Sequence, residues 1–103
     1  MSELVTLSKK NKLSELLEKY PNLIIKASAK WCRPCKEIAP YFDELSKQFT
    51  DFTFCTFDVN QCEDLSDELK IRSLPTFIRI ENGEEKSRIV GADKGKLQKL
   101  LSK

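Results

Sequence analysis

The sequence predicts an α/β sandwich whose elements follow the order βαβαβαββα. The first observation is that short apolar runs alternate with segments in which apolar residues recur at helical spacing. The second is the Asn82-Gly83 pair, which is typical of a tight β-hairpin. Early crossovers are therefore expected to be parallel, and the last two strands antiparallel. The third observation is one long apolar stripe with steps of 3, 4, 3 and 4 residues: Cys35, Ile38, Phe42, Leu45 and Phe49.

The N-terminal part is predicted to form a strand, a helix and a second strand. The apolar run at residues 4–7 predicts the first strand, and Ser8 is placed to cap the helix that follows. This helix is expected to end before Pro21, because the residue before a proline avoids the α region. The run at residues 23–29 is apolar enough for a central strand, although Lys26 interrupts it.

The long stripe predicts the second helix. Pro34 falls in its first turn, where a missing N–H is tolerated, whereas Pro40 lies inside it and is expected to kink it. The aromatic-rich run at 52–59 predicts the third strand, and the acidic segment at 62–70 predicts a short helix.

The C-terminal part is predicted to form a hairpin and a final helix. Residues 76–81 and 86–90 flank the Asn-Gly turn and predict the two strands of the hairpin. Asp93 can cap the last helix, which is expected to bury its leucines, Leu97, Leu100 and Leu101.

Composition narrows the functional classes. The chain has 103 residues, the size of one domain, and is 40% hydrophobic and 33% charged, unlike a disordered chain or a membrane protein. The 18 basic and 16 acidic residues give a net charge of +2, too balanced for a nucleic-acid-binding protein. No apolar run approaches the ~20 residues of a membrane span, and the N-terminus lacks the pattern of a signal peptide. A cytoplasmic location is therefore expected. The absence of histidine excludes imidazole acid–base chemistry.

The chemistry is concentrated in Trp31-Cys32-Arg33-Pro34-Cys35, between a predicted strand and a predicted helix. Unpaired N–H groups and the positive end of the helix dipole stabilise a thiolate on Cys32. Cys35, one turn further on, is close enough to attack a mixed disulfide formed by Cys32. The spacing therefore predicts thiol–disulfide exchange, with Pro34 keeping the turn rigid.

This segment resembles the thioredoxin family, and the resemblance covers nearly the whole chain. It implies a thioredoxin domain over residues 1–103, with a mixed five-stranded sheet flanked by four helices in a three-layer sandwich. The stretches that carry it are Ala29 to Lys36, Ile38-Ala39-Pro40, Asp58-Val59-Asn60, Leu74-Pro75-Thr76-Phe77, Asn82-Gly83 and Gly91-Ala92.

The resemblance implies roles for individual residues. Cys32 would be the nucleophile and Cys35 the resolving thiol of a protein-disulfide reductase. Pro75 would be a cis proline facing the disulfide, and the backbone of Leu74 would pair with an extended substrate. The apolar contact surface would be formed by Trp31, Gly91 and Ala92.

The same resemblance implies the reaction's partners. No cofactor would be bound, because electrons would come from NADPH through thioredoxin reductase. The substrates would be disulfide-bearing proteins, and the protein would act as a monomer in cytoplasmic electron transport and redox homeostasis. Nucleic acid, membrane and metal are not expected as partners.

Two positions depart from the family pattern. Arg33 replaces the usual glycine, and a cation beside Cys32 favours the thiolate and a more oxidising couple, unless Arg33 simply points into solvent. Lys26 stands where the family has a buried aspartate thought to help deprotonate the resolving cysteine, and Thr56 replaces the partner lysine. Lys26 could stabilise a thiolate, accept a proton if desolvated, or extend to solvent. We predict a slower resolving step.

The other cysteines and two further functions remain as alternatives. A zinc site completed by Cys55 and Cys62 is disfavoured because six residues lie between them, more than the two to four of a typical zinc-binding pair. Cys55 fits a small buried side chain, while Cys62 opens a helix and is either a regulatory thiol or unreactive. The alternative functions are a more oxidising or glutathione-coupled protein, and a partner-binding module with little reductase activity. The retained cysteine pair disfavours the module.

Overall fold

The computed structural model describes residues 4–102. The ends of the predicted domain, residues 1–3 and 103, lie outside the described residues. Within residues 4–102 there are five strands and four helices, in the predicted order. They are β1 (Val5–Thr6), α1 (Leu13–Lys19), β2 (Asn22–Ser28), α2 (Arg33–Gln48), β3 (Thr53–Asp58), α3 (Glu63–Glu68), β4 (Thr76–Glu81), β5 (Glu84–Val90) and α4 (Lys94–Leu101).

The strands form one mixed sheet in the order β1-β3-β2-β4-β5. β3 pairs in parallel with both β1 and β2, whereas β4 is antiparallel to β2 and β5 is antiparallel to β4. The predicted parallel crossovers and the C-terminal hairpin are thus confirmed. β2 lies at the centre, so its carboxyl end delivers the cysteine motif to the middle of one sheet edge.

Successive side chains of β2 point to opposite faces of the sheet and divide the core into two layers. Leu23, Ile25 and Ala27 pack in the cluster that includes Leu16 of α1 and Leu65 of α3. On the opposite face, Ile24 packs in the cluster of α2 and α4, whose buried members include Phe42 and Leu97. Side chains alternate across a strand, so Lys26 shares the face of Ile24 and lies beneath these helices. Among residues 4–102, no helix combines the length and the apolar character needed to cross a bilayer.

The second strand of the hairpin begins earlier than predicted because the turn before it has only two residues. Asn82 and Gly83 have φ angles of 51° and 82°, the left-handed values that a type I′ turn requires at both positions. Glu81 therefore pairs directly with Glu84, and β5 starts two residues before the predicted Lys86.

The prediction that Ser8 caps α1 is wrong. The Ser8 amide donates to Asn11 Oδ1 at 2.8 Å, and its hydroxyl accepts from the Lys10 amide at 3.3 Å. These bonds close a local turn, and α1 begins only at Leu13, after an N-cap residue, Lys12, that makes no side-chain capping bond. Serine's ability to bond to nearby backbone stabilises a turn here rather than a helix.

Asp93 caps α4 as predicted, accepting a hydrogen bond from the Lys96 amide at 3.0 Å. Replacing Asp93 with alanine is expected to lower the free energy of unfolding by about 1 kcal/mol, because an amide of the first turn loses its acceptor. Urea unfolding of the oxidised protein measures the change. Asp93→Asn is the matched control, since it keeps an acceptor oxygen and should cost much less. Equal losses for both variants would contradict a capping role.

Candidate active site

Cys32 and Cys35 lie where β2 passes into α2. Cys32 is the N-cap residue of α2, and its amide donates to the Ala29 carbonyl at 3.1 Å. The two cysteines form a disulfide whose Cα atoms are 5.3 Å apart. Both are buried, in a small apolar cluster with Ala29, against which Val59 and Leu74 pack. The predicted pairing is therefore confirmed by the geometry of the helix start.

The helix start supplies a hydrogen-bond donor to one of the two sulfurs. The Cys35 amide donates to Cys32 Sγ at 3.3 Å. This amide is one of the first-turn donors that have no partner within a helix, and it lies at the positive end of the helix dipole. The same donor stabilises negative charge on Cys32 Sγ once the disulfide is opened.

A groove of about 500 Å³ opens beside Cys32. Cys32 lines it but Cys35 does not, so the groove offers access to one sulfur of the pair. Trp31, Val59 and Leu74 provide apolar wall. Trp31 is 70% exposed.

Trp31 is also held in place. Its indole Nε1 donates to Asn60 Oδ1 at 2.8 Å, which fixes the ring at the mouth of the groove. An exposed but anchored aromatic ring provides contact area at little cost in conformational entropy.

The segment before β4 forms the other wall of the groove. The Leu74–Pro75 peptide bond is cis, Leu74 lines the groove, and Pro75 is buried. The Gly91 amide donates to the Pro75 carbonyl at 2.8 Å, which places Gly91 and Ala92 beside this segment. Neither Gly91 nor Ala92 lines the groove, so Trp31 shares its groove with Leu74 rather than with these two residues.

Sequence reasoning did not identify Ser66, Ile71, Arg72 and Ser73 as part of this groove, although all four line it. The register of the sheet explains their position, because Thr76 at the start of β4 pairs with Ala27 near the end of β2. The residues just before β4 must therefore lie near the cysteine motif. A prediction that the fourth strand pairs antiparallel with the second would have placed these four residues beside the cysteine motif.

Lys26 is buried beneath α2, with 6% of its surface exposed. Its Nζ lies 5.2 Å from the centroid of the Phe42 ring. Burial lowers the pKa of Lys26, and the carboxylate of Asp43 on α2 partly opposes this shift. Thr56 on β3 is its register partner, so the neighbouring strand supplies no charge at this pair.

Arg33 lies in the first turn of α2, at the solvent-exposed rim of the groove. Its side chain is 89% exposed, and its Nε lies 3.8 Å from Glu37 Oε2, one turn further along α2. A long, exposed ion pair of this kind is weak, and solvent screens the charge of Arg33.

Cys55 and Cys62 are free and buried. Burial raises the pKa of Cys55 to about 12. Burial and the nearby charge of Asp58 also raise the pKa of Cys62, whose Sγ lies 3.7 Å from the Leu7 carbonyl. Among residues 4–102, no group of three or more His, Cys, Asp or Glu side chains is placed to hold a metal ion.

Both free thiols, Cys55 and Cys62, are expected to react slowly with alkylating agents in the native oxidised protein. A pKa of about 12 in place of 9.0 lowers the thiolate fraction of Cys55 near pH 8 by about a thousandfold. Labelling with iodoacetamide, followed by peptide mass mapping, compares the rate at each cysteine with that in urea. Cys62 is also expected to react more slowly than in urea. Native reaction of Cys62 at the unfolded rate would contradict this expectation and favour a regulatory thiol.

Comparisons with known proteins agree with this site. The thioredoxin family profile matches residues 3–103. The chain is 37% identical over 105 residues to Thioredoxin H2-1 of Oryza sativa subsp. japonica, covering 98% of this chain and 76% of that protein. Its fold is similar to that of Schistosoma mansoni thioredoxin, with a TM-score of 0.90, 38% identity and coverage of 97% and 96%. Its fold is also similar to that of Plasmodium falciparum thioredoxin, with a TM-score of 0.89 and 29% identity, covering 94% of this chain and 95% of that chain.

The thioredoxin fold and a cysteine pair at disulfide distance define a dithiol–disulfide oxidoreductase. The chain belongs to the thioredoxin family. It is a protein-disulfide reductase that acts on disulfide-bearing proteins and, like other thioredoxins, carries no bound cofactor.

Proposed function

We propose that Cys32 attacks the substrate and that Cys35 resolves the intermediate. The Cys32 thiolate attacks one sulfur of a substrate disulfide, so a Cys32–substrate bond forms and the substrate bond breaks. The departing substrate sulfur takes up a proton. Cys35 then loses its proton, attacks Cys32 Sγ and forms the Cys32–Cys35 disulfide, while the second substrate sulfur leaves and takes up a proton. The protein dithiol loses two electrons and the substrate disulfide gains them.

The observation that carries this assignment is the asymmetry of the two sulfurs. Cys32 lines the groove, and its Sγ accepts a hydrogen bond from the Cys35 amide. Cys35 lies inside the first turn of α2 and does not line the groove. An attacking sulfur needs both access and a stabilised thiolate, while a resolving sulfur needs only its neighbour. Pro34 stiffens the turn that holds them together.

The substrate is proposed to lie along the groove in an extended conformation. Trp31 and Leu74 would contact it directly, with the Leu74 backbone pairing with its main chain. Pro75 supports Leu74, and Gly91 and Ala92 border this segment through the Gly91–Pro75 hydrogen bond of 2.8 Å. We treat residues 1–103 as one thioredoxin domain that works as a monomer.

Electrons are proposed to come from NADPH through a thioredoxin reductase, which would reopen the Cys32–Cys35 disulfide after each cycle. The free thiols of Cys55 and Cys62 suit a reducing compartment, and we place the protein in the cytoplasm. Its role there would be electron transport to protein disulfides and redox homeostasis. The thioredoxin relatives do not favour a more oxidising or glutathione-coupled function, or a partner-binding module.

The proposal is tested with the oxidised protein, NADPH, a thioredoxin reductase and a peptide whose disulfide holds a fluorophore near a quencher. One NADPH is expected to be consumed per disulfide opened. The control is a Cys32→Ser, Cys35→Ser double variant, which should open none. Opening with dithiothreitol as donor but none with the reductase would overturn the proposed electron source while leaving the disulfide reductase activity in place.

A further inference from the structure

Two arginines line the groove beside Cys32. Arg33 comes from the first turn of α2, and Arg72 comes from the segment before β4. Both side chains are exposed. The residues lining this groove include no aspartate or glutamate, so its charge is positive although the whole chain carries only +2.

Both guanidinium groups are available to a partner. The ion pair of Arg33 with Glu37 is exposed and 3.8 Å long, which is too weak to compete with a well-placed ligand. Among residues 4–102, Arg72 forms no ion pair. A planar guanidinium binds a carboxylate through two parallel hydrogen bonds, so an arginine that lines the groove can hold an acidic side chain there.

The acidic helix α3 does not cancel this charge. Only Ser66 of α3 lines the groove. Glu63 and Asp64 line a separate cavity with Lys9, and Glu68 lines a third cavity. Glu63, Asp64 and Glu68 therefore line other cavities than the two arginines.

The apolar wall between the arginines limits what the ligand can be. Trp31, Val59, Ile71 and Leu74 present side chains that gain from being covered by an apolar partner. Glutathione carries two carboxylates but no large apolar side chain, so it would leave the exposed indole uncovered. A protein segment can supply one acidic and one apolar side chain from neighbouring positions, because an extended chain advances about 3.3 Å per residue.

We propose that this groove selects disulfide-bearing protein segments in which an acidic and an apolar residue lie close to the target cysteine, with Arg33 and Arg72 binding the acidic side chain. The inference rests on the proposed function, since it names the substrate class of the same reaction. Charges at the rim of a binding site act mainly on the association rate and make it sensitive to salt.

The test compares disulfide-bridged peptides that are identical except for Glu, Gln or Lys two positions from the reacting cysteine, beside a constant leucine. The protein is expected to reduce the Glu peptide with a kcat/KM about fivefold above the Gln peptide, and the Lys peptide more slowly than either. The ratio of Glu to Gln should fall toward one as the salt concentration rises toward 1 M. Equal kcat/KM values for the Glu and Gln peptides would overturn the inference.

Variants assign the preference to the two arginines. Arg33→Gln and Arg72→Gln should each lower the Glu-to-Gln ratio, and the double variant should bring it to about one. Using the ratio cancels any general change in the reactivity of Cys32. Lys99→Gln is the matched control, because it removes the same charge from the last turn of α4, where Arg79 binds the Leu100 carbonyl far from the groove. A ratio that survives in the double variant, or falls equally in Lys99→Gln, would overturn the assignment.

Three outcomes separate the inference from the proposed function on which it rests. Oxidised glutathione reduced as efficiently as the Glu peptide would show that the cations serve a small anionic disulfide, and the protein-segment assignment would fall. Reduction of the Gln peptide without any charge preference would remove the inference and leave the proposed function standing. Failure to reduce any peptide would overturn both.

Discussion

Replacing Cys32 with serine is expected to lower the rate of disulfide reduction by at least about a thousandfold, because a serine hydroxyl is not ionised near neutral pH and cannot replace a thiolate nucleophile. Cys35→Ser is expected to behave differently. Cys32 keeps its place at the α2 N-terminus and its access to the groove, so it still attacks the substrate. Without a resolving thiol, the mixed disulfide accumulates instead of turning over.

Intact-protein mass spectrometry of the two variants after incubation with a disulfide peptide measures this difference. Cys35→Ser should gain the mass of one peptide half, attached to Cys32, and Cys32→Ser should gain little. Cys55→Ala is the control, since Cys55 is buried inside β3 and plays no part in the exchange. A peptide adduct on Cys35 in the Cys32→Ser variant, formed at the rate of the other adduct, would reverse the assigned roles.

Replacing Lys26 with aspartate is expected to speed disulfide reduction, by about tenfold where the resolving step limits turnover. Lys26 lies buried under α2 with no carboxylate of its own to accept a proton, whereas family members normally carry an aspartate there. By resemblance to the family, a carboxylate at position 26 would take the proton from Cys35 as that thiol attacks, and the nearby charge of Asp43 would make it more basic.

Stopped-flow kinetics with a fluorescent disulfide peptide separates formation of the mixed disulfide from its decay. Lys26→Asp should accelerate the decay and leave formation nearly unchanged. Lys26→Met is the control, because it removes the cation without providing a base. An unchanged or lower decay rate in Lys26→Asp would refute the argument, provided that a Lys26→Asp, Asp43→Asn variant, which relieves carboxylate repulsion, gives the same result.

The burial of Lys26 also predicts a pH dependence of stability. Because burial lowers the pKa of Lys26 below 10.5 in the folded protein, the unfolded chain binds the proton more tightly between the two values. The contribution of this group to stability is therefore lost as pH falls through the folded pKa and is fully present above 10.5. Lys26→Met should be more stable than the parent protein near neutral pH, by about 1 kcal/mol, with the difference shrinking toward pH 10.5.

The sequence predicts most of the architecture because each element carries its own signal. The 3 and 4 residue spacing from Cys35 to Phe49 defined α2, and the Asn82-Gly83 turn defined the hairpin. The position of the cysteine pair followed from the same patterns, since it falls between an apolar strand and an amphipathic helix. The predicted cap at Ser8 was wrong because the same hydroxyl can stabilise either a turn or a helix N-terminus, and here it accepts from the Lys10 amide within a turn.

The sequence could not predict features that depend on contacts between distant segments. Whether Lys26 reaches solvent is decided by the cover that Phe42 of α2 places over it. The wall of the groove at Arg72 depends on β4 pairing antiparallel with β2, which brings the residues before β4 to the cysteine motif. No local pattern of residues predicts the pairing of β4 with β2 or the burial of Lys26.

The reduction potential of the Cys32–Cys35 pair is the most direct test of the claim that the protein reduces protein disulfides, because it determines the direction in which the pair transfers electrons. The protein is equilibrated in buffers of reduced and oxidised glutathione, the thiols are trapped with an alkylating agent, and the oxidised fraction is read by mass spectrometry. With Arg33 exposed and screened, we predict a value between roughly −270 and −230 mV, in the range of a reductant of protein disulfides. A value above roughly −230 mV would place the pair with glutaredoxins and disulfide isomerases and would contradict the account.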